Sequence, residues 1–384
     1  MSELPISKGP ATVSFTAALH LFHIVSALFQ NGWKSCFTSK LYTQYPNERT
    51  PWIKFRRCLW YVAALIMVGT LVIYSSVFQE SWSLNPRTST PNSSTSHDSV
   101  PPLVDEYTVA YPHEYHFILD ELNRCREESP FLVLMIPVAP HNREARHMIR
   151  STWGNVTTVQ GKVVSHYFIL GQSREENGAE TIEEQLLRES RDHRDILQSD
   201  FLDSYHNLTI KTMLMFEWLS THCPQTSYAM KVDSDTFLNV HNLVGMLLKA
   251  PQHLYMTGNV VRFAPVLRDQ NSKWFLPFST FPESVYPTYA IGLGYVFSLD
   301  LTRKILEAAQ HVRALYIEDV YVGLCMKHLG IPLTDPPRND MFMIWKPSDT
   351  DNCYWTSVIT TLLHSSNQLL DVWKSYQIQA QSGC

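Results

Sequence analysis

No block of basic residues and no interleaving of basic with aromatic residues occurs in the 384-residue chain, whose formal net charge is −5 with His neutral. This excludes the electrostatic footprint of a nucleic-acid-binding protein. No two of the seven Cys stand at zinc-finger spacing, which excludes a small zinc-stapled core. No internal repeat is present. Charged residues make up 17% and hydrophobic residues 45%, a globular balance, and the length suits one large catalytic domain with extensions.

One long, uncharged apolar run stands out, Leu59–Phe78. It meets the ~20 residues needed to cross a bilayer. Lys54, Arg56 and Arg57 precede it and Glu80 follows, so the N-terminus is expected on the cytoplasmic side. No small-residue cleavage site follows it, and the run reads as an uncleaved signal-anchor. Residues 1–58 then form a cytoplasmic segment, in which the moderately apolar 11–29 reads as an interfacial helix or a plain extension. Residues 79–125 form a luminal stem that begins rich in Ser, Thr, Pro and Asn, a composition suited to O-glycosylation and unable to bury a core. The catalytic domain is expected over 126–384. Beyond the anchor lie five Cys and three N-glycosylation sequons, at Asn92, Asn155 and Asn207. Both fit an oxidising secretory lumen, and the odd Cys count leaves at least one thiol free or paired between chains.

From Pro130 onward, strand-like and helix-like segments alternate. Phe131–Val138 is a nearly continuous apolar run, as a buried strand should be. A helix over Asn142–Trp153, a strand over His166–Leu170 and a charged helix over Glu175–Asp192 follow. Asn207–His222 reads as an amphipathic helix with Asn207 at its N-cap. A strand ends at Val232, then a helix covers Val240–Lys249, strands Leu254–Val261 and Gly294–Phe297, and a helix Leu301–Ala309. This order indicates an α/β domain with a mostly parallel sheet, whose ligands collect at the carboxyl ends of the strands.

Asp233 and Asp235 stand at one such end, two residues apart, and side chains two apart in a strand share a face. Two carboxylates aimed at one point repel, and a cation relieves them. Mg²⁺ or Mn²⁺, which take substrate phosphates as further ligands, would suit the pair; a chance Asp-x-Asp in a surface loop is the competing reading. Glu318 and Asp319 open an apolar, helix-like run. They serve either as acids placed favourably at a helix start or as a general base. Arg146 and Arg150 share a helix face after the first strand, either as a diphosphate grip or as a solvated face, and Lys211 carries the same ambiguity.

Taken together, PFLVLMIPV, EARHMIRSTWG, HYFILG, MKVDSDTFLNV, SKWFLPFSTFPESVYPTY, GLGYVFS and EDVYVGLCMKHLGI resemble, in that order, the β-1,3-galactosyltransferase family. The resemblance covers about residues 130–331. It implies a GT-A-like, Rossmann-related mixed sheet flanked by helices, behind a type II anchor in the Golgi membrane. It implies inverting transfer of galactose from UDP-galactose to the 3-hydroxyl of a terminal sugar, often N-acetylglucosamine, on a glycoprotein or glycolipid. The cofactor would be Mn²⁺ on Asp235, with Asp233 nearer the nucleotide. Asp319 would be the base with Glu318 beside it. Arg146, Arg150 and Lys211 would lie near the nucleotide or diphosphate, and Trp274 and Tyr295 near the sugar groove. His364 is a candidate further metal ligand, if two residues are missing between it and Trp373 relative to the family. The family's Ser-Gly-Thr-Gly is Ile291-Gly292-Leu293-Gly294 here, and a family Cys is Ala290. A related N-acetylglucosaminyltransferase and a catalytically silent membrane-anchored binding protein on the same fold remain alternatives.

Overall fold

The computed structural model describes residues 106–173, 181–348 and 352–384. The apolar run Leu59–Phe78, the cytoplasmic segment, most of the stem and the Asn92 sequon lie outside the described residues. Among the described residues no helix is long and apolar enough to cross a membrane.

The apolar runs become the middle of a mixed sheet. Strands β2 (Leu132–Pro137), β4 (Lys162–Gln172), β5 (Ile196–Leu202) and β6 (Tyr228–Val232) are parallel, in the order β5-β4-β2-β6. Every residue of β2 and β6 is buried, because both faces of the sheet are covered. Side chains alternate between the two faces: Leu132, Leu134 and Ile136 enter one core, Val133 and Met135 the other. Antiparallel strands flank this centre. β1 (Phe117–Leu119) pairs with β5, β9 (Tyr289–Ser298) with β6, and β8 (Met256–Val261) with β9. The hairpin β3 (Thr158–Val159) pairs with β4. The sheet is therefore parallel at its centre and antiparallel at both edges.

Among the helices, α1 is Arg124–Glu128 and α2 is Arg143–Arg150, capped by Asn142 through the Ala145 N–H at 3.1 Å. The helix expected from Glu175 begins instead at Ile182 as α3 (Ile182–His193), because Thr181 and Glu184 form a reciprocal capping box there. Helix α4 (Leu208–His222) is not amphipathic. Ten of its residues are buried, from Thr209 through Leu219, since it packs against the sheet and also against α6 (Asp300–Ala309) and α7 (Glu318–His328). Nor does Asn207 cap α4; its amide donates to the Leu202 carbonyl at 2.9 Å. Helix α5 (Val240–Leu247) is capped by Asn239, and α8 (Tyr354–Ser357) and α9 (Leu369–Gln381) close the chain. A small second sheet, β10 (Phe342–Met343), β11 (Thr360–Leu362) and β7 (Thr236–Leu238), lies just after the Asp233–Asp235 turn.

The folded domain starts before residue 126. Thr108 bridges Leu315, β1 joins the main sheet, and Cys125 is bonded to Cys223 at the C-terminal end of α4. Residues 106–125 thus leave the stem, because their backbone and apolar side chains are taken up by the domain. Cys353 pairs with Cys384, and Cys325 remains free and buried.

Candidate active site

The site forms where β6 ends, where β9 passes it, and where α7 begins. The last residue of β6 is Val232, so Asp233 and Asp235 occupy the turn between β6 and β7 rather than the strand itself. The Asp233 N–H donates to the Leu293 carbonyl at 3.0 Å, which ties the turn to β9. Leu363 N–H donates to the Asp235 carbonyl at 2.8 Å, which ties it to the strand end that carries His364.

Helix α7 reaches β9 from the other side, and closely. A Cβ on Gly323 would fall 2.7 Å from the Cβ of Tyr289, so only glycine permits this approach. The approach brings the first two residues of α7 under β9. Glu318 is buried; the hydroxyl of Tyr295 donates to its Oε1 at 2.6 Å, and Lys231 Nζ lies 3.3 Å from its Oε2. Asp319 is half-buried. Its Oδ2 accepts from the Gly292 N–H at 2.9 Å and its Oδ1 from its neighbour Val320 N–H at 2.8 Å. Burial, and then the charge of Glu318, push the Asp319 carboxyl up to about 6, against the pull of the Gly292 N–H and Lys231. A carboxylate at that value is basic enough to take a proton near neutral pH and weak enough to be free of one.

Lys231 connects the two acid pairs. Its ammonium lies 2.7 Å from Asp233 Oδ1 and also donates to the Gly292 carbonyl. Burial alone lowers its pKa, but Asp233 and Glu318 outweigh burial and hold it charged. Sequence reading passed over Lys231. Its signal was present: it sits two residues before Asp233 on a wholly buried strand, where a charge needs partners. Gly292 was also missed as a functional position. A Cβ there would stand 3.3 Å from Glu318 Oε2, 3.4 Å from Lys231 Nζ and 3.5 Å from Asp319 Oδ2.

Asp235 is half-buried, and burial followed by the charge of Asp233 raises its pKa, against Lys231 and Lys273. The turn therefore holds carboxylate charge that a cation would stabilise. Among the described residues no three or more His, Cys, Asp or Glu side chains gather in an arrangement able to hold a metal ion. His364 is exposed; its backbone is brought next to that of Asp235 by β11, and its N–H donates to Gln368.

The three cations expected at the diphosphate are engaged elsewhere. Arg146 is 1% exposed and forms a bidentate pair with Glu189 at 2.8 and 2.7 Å, while its third nitrogen caps the carbonyls of Ala139 and Pro140. Arg150 forks onto Asp195 at 2.8 and 2.7 Å and also binds Glu189. Burial opposes ionisation of Glu189 and Asp195, but Arg146 and Arg150 lower the pKa of the first, and Arg150 and His166 that of the second. Lys211 donates to both oxygens of Asp203 and to the Val138 carbonyl, which uses its three hydrogens. Arg146 and Lys211 brace the carboxyl ends of β2 and β5 and Arg150 the amino end of β5, and none keeps a free donor to grip a ligand.

Tyr295 is fully buried with its hydroxyl on Glu318, so it orients the acid and does not line a groove. Trp274 is exposed, on the loop between β8 and β9, with Lys273 Nζ 4.5 Å from its ring centre. The ring centre of Tyr205 lies 5.7 Å from the same ammonium, and the pKa of its hydroxyl is raised by burial and then by the charge of Asp319. Leu293 is buried and acts through its carbonyl, which receives the Asp233 N–H and the Thr236 hydroxyl; Ile291 is half-exposed. Asn155 is exposed, whereas Asn207 is half-buried and Thr209 of its sequon is fully buried, donating to the Leu315 carbonyl.

A family profile described as Galactosyltransferase matches residues 144–337, a span that contains the turn of β6, the loop bearing Trp274 and the start of α7. The chain is 39% identical over 287 residues to Beta-1,3-galactosyltransferase 2 of Homo sapiens, covering 73% of this chain and 67% of that protein. It is 37% identical over 276 residues to Beta-1,3-galactosyltransferase 1 of Mus musculus, covering 71% and 82%. These similarities make the chain a glycosyltransferase. More narrowly, the chain belongs to the galactosyltransferase family.

Proposed function

We propose that this protein transfers galactose from UDP-galactose to the 3-hydroxyl of a terminal acceptor sugar, with N-acetylglucosamine as the first candidate, on glycoproteins or glycolipids. The β-1,3-galactosyltransferase names of its relatives support the donor and the linkage. The observation that carries the reading is Asp319, a half-buried carboxylate raised to about 6 and held by two main-chain N–H groups, with Lys231 between it and Asp233.

This placement supports the following course of reaction. The acceptor 3-hydroxyl gives its proton to Asp319 as its oxygen attacks the anomeric carbon. The bond from that carbon to the diphosphate breaks on the opposite face, so the configuration inverts in one displacement. No enzyme nucleophile is required, and Glu318, locked between Tyr295 and Lys231, is not free to serve as one. Tyr295 and Lys231 hold Glu318 in place, and its charge raises the basicity of Asp319.

Asp235, with Asp233 beside it and His364 adjacent in the backbone, would hold Mn²⁺. The fit rests on Asp235, whose carboxylate forms no ion pair with any described residue, whereas Asp233 is paired with Lys231. Two protein carboxylates suffice when phosphates and water complete the shell. When bound, such an ion neutralises charge developing on the leaving diphosphate. The GT-A arrangement of the sheet, the type II anchor at Leu59–Phe78 and residence of the catalytic domain in the Golgi lumen belong to the same proposal. They are supported by the parallel core with its ligand edge, by the two disulfides, and by the run of apolar residues in the sequence.

The test is transfer by the full chain in detergent, with UDP-galactose and UDP-N-acetylglucosamine as donors, with Mn²⁺ or with chelator. Galactose transfer to N-acetylglucosamine glycosides that stops on chelation is expected. Preference for UDP-N-acetylglucosamine overturns the donor, and activity indifferent to chelator overturns the metal.

A further inference from the structure

Between β8 and β9, residues 262–288 form an insert whose apolar side chains point two ways. Val266 and Tyr286 are buried in a separate core with Leu276, Phe281, Ile317 and Val320. Beside them Pro265 and Val285 form an antiparallel bridge. The Val266 N–H donates to the Ser284 carbonyl and the Tyr286 N–H to that of Ala264, each at 2.9 Å. Bridge partners share a face, and the next residue along each strand takes the other. Pro265, Leu267 and Val285 therefore face outward, and all three are exposed. A strand pair with one face packed and the other in water normally carries polar residues on the wet face; this pair carries apolar ones.

Two aromatic rings adjoin this strand pair. Phe263, two residues before Pro265, is 86% exposed and has a φ of +57°, a conformation that a bulky side chain adopts only at a cost. Phe278 is 66% exposed, and its ring centre lies 4.0 Å from the guanidinium carbon of Arg268, the residue after Leu267. Exposed apolar residues scattered singly are ordinary, but gathered on one insert they mark a surface that meets a partner.

Two observations favour a lipid bilayer as that partner. The first is where the chain enters the domain. The Tyr107 ring centre lies 5.4 Å from that of Phe275 and 6.1 Å from that of Tyr316, against the insert's own core. The apolar run Leu59–Phe78 is joined to this point through residues 79–105, a stretch that can reach at most ~95 Å. A tether this short makes a weak apolar contact effective. The second is composition. The insert also carries the exposed Trp274, with Lys273 Nζ 4.5 Å from its ring centre, and aromatic rings beside lysine suit the headgroup boundary. The surface is tied to the active site by packing. Ile317 and Val320, which flank Glu318 and Asp319, belong to the insert's core.

We propose that the outward face of residues 262–288 rests in the headgroup region of a lipid bilayer and so fixes how the active site stands over the membrane. The inference rests on reading Leu59–Phe78 as a membrane anchor and is independent of donor, acceptor and metal.

The experiment uses the full chain reconstituted in phosphatidylcholine vesicles and floated on a density gradient. An environment-sensitive dye is attached at Phe263→Cys or, as a control, at His253→Cys, both exposed positions. Cys36 and Cys58 are changed to Ser; Cys325 is buried, and the remaining four Cys are paired. The dye at 263 is expected to emit to the blue of the dye at 253 and to be quenched several-fold more by nitroxide-labelled lipid. Adding Leu267→Ser and Phe278→Ser should reduce that quenching. A floating protein in which lipid quenches the two dyes equally overturns the surface and leaves the anchor standing. A blue-shifted dye at 263 that lipid nitroxide does not quench assigns the face to a second copy of the chain and also overturns the proposal. A chain that does not float removes the anchor and the proposal together.

Discussion

The Tyr295 hydroxyl donates to Glu318 Oε1 at 2.6 Å inside the contact between β9 and α7. This bond, with Lys231 on the other oxygen, removes Glu318 from direct chemistry and leaves Asp319 beside it as the base. Asp319→Asn is expected to lower kcat by about 10²–10⁴-fold. Tyr295→Phe should cost activity far less and stability about 1–3 kcal/mol, the range for one lost buried hydrogen-bond partner. Steady-state kinetics and urea denaturation of the two variants check the division. A Tyr295→Phe enzyme as inactive as Asp319→Asn would contradict it.

Asp319 also sets the pH response. As a base it must be unprotonated, so activity is lost as pH falls through about 6. Stability runs the other way. The folded state raises this carboxyl above its ordinary value near 4, so its contribution is complete below about pH 4 and is lost as pH rises through about 6. Asp319→Asn removes that loss. Its thermal midpoint relative to wild type should therefore rise from pH 4 to pH 7, while its activity falls. A relative midpoint flat across that range contradicts the raised carboxyl.

Arg146 and Lys211 should behave as structural charges. Each sits nine-tenths or more buried against a carboxylate, Glu189 and Asp203. Removing one partner strands the other, at a cost of about 3–5 kcal/mol. Arg146→Met and Lys211→Met are expected to lower the denaturation midpoint strongly, and any folded enzyme that remains should keep a near-normal affinity for UDP. A selective loss of UDP binding with stability intact would return these residues to the diphosphate.

Cysteine chemistry offers a separate check. Cys325 is buried and its thiol is pushed up to about 12 by burial, so iodoacetamide should leave it unlabelled in the native protein and modify it once after denaturation without reductant. Peptide mapping should find Cys125 with Cys223 and Cys353 with Cys384. Replacing both Cys125 and Cys223 by Ala should cost several kcal/mol, about 4–5 in the chain-entropy picture, because the bridge spans 98 residues.

The sequence by itself determined the strands and their order of alternation, since an apolar run such as Phe131–Val138 can only be buried, and a buried strand needs neighbours on both faces. It also determined that Asp233, Asp235, Glu318 and Asp319 deserve one explanation, because acids beside apolar runs need partners. Tertiary structure decided which charges are free. Arg146, Arg150 and Lys211 read on paper as cations able to grip a diphosphate, yet all three are used up by Glu189, Asp195 and Asp203, residues 8 to 45 positions away in the chain. Whether a cation is available to a ligand depends on what surrounds it in space, and no local pattern carries that. The same reason explains α4: its sequence reads as amphipathic, with one apolar face, but packing against the sheet and two helices buries the other side as well. Lys231 and Glu318, 87 residues apart in sequence, meet because Gly323 lets α7 close on β9.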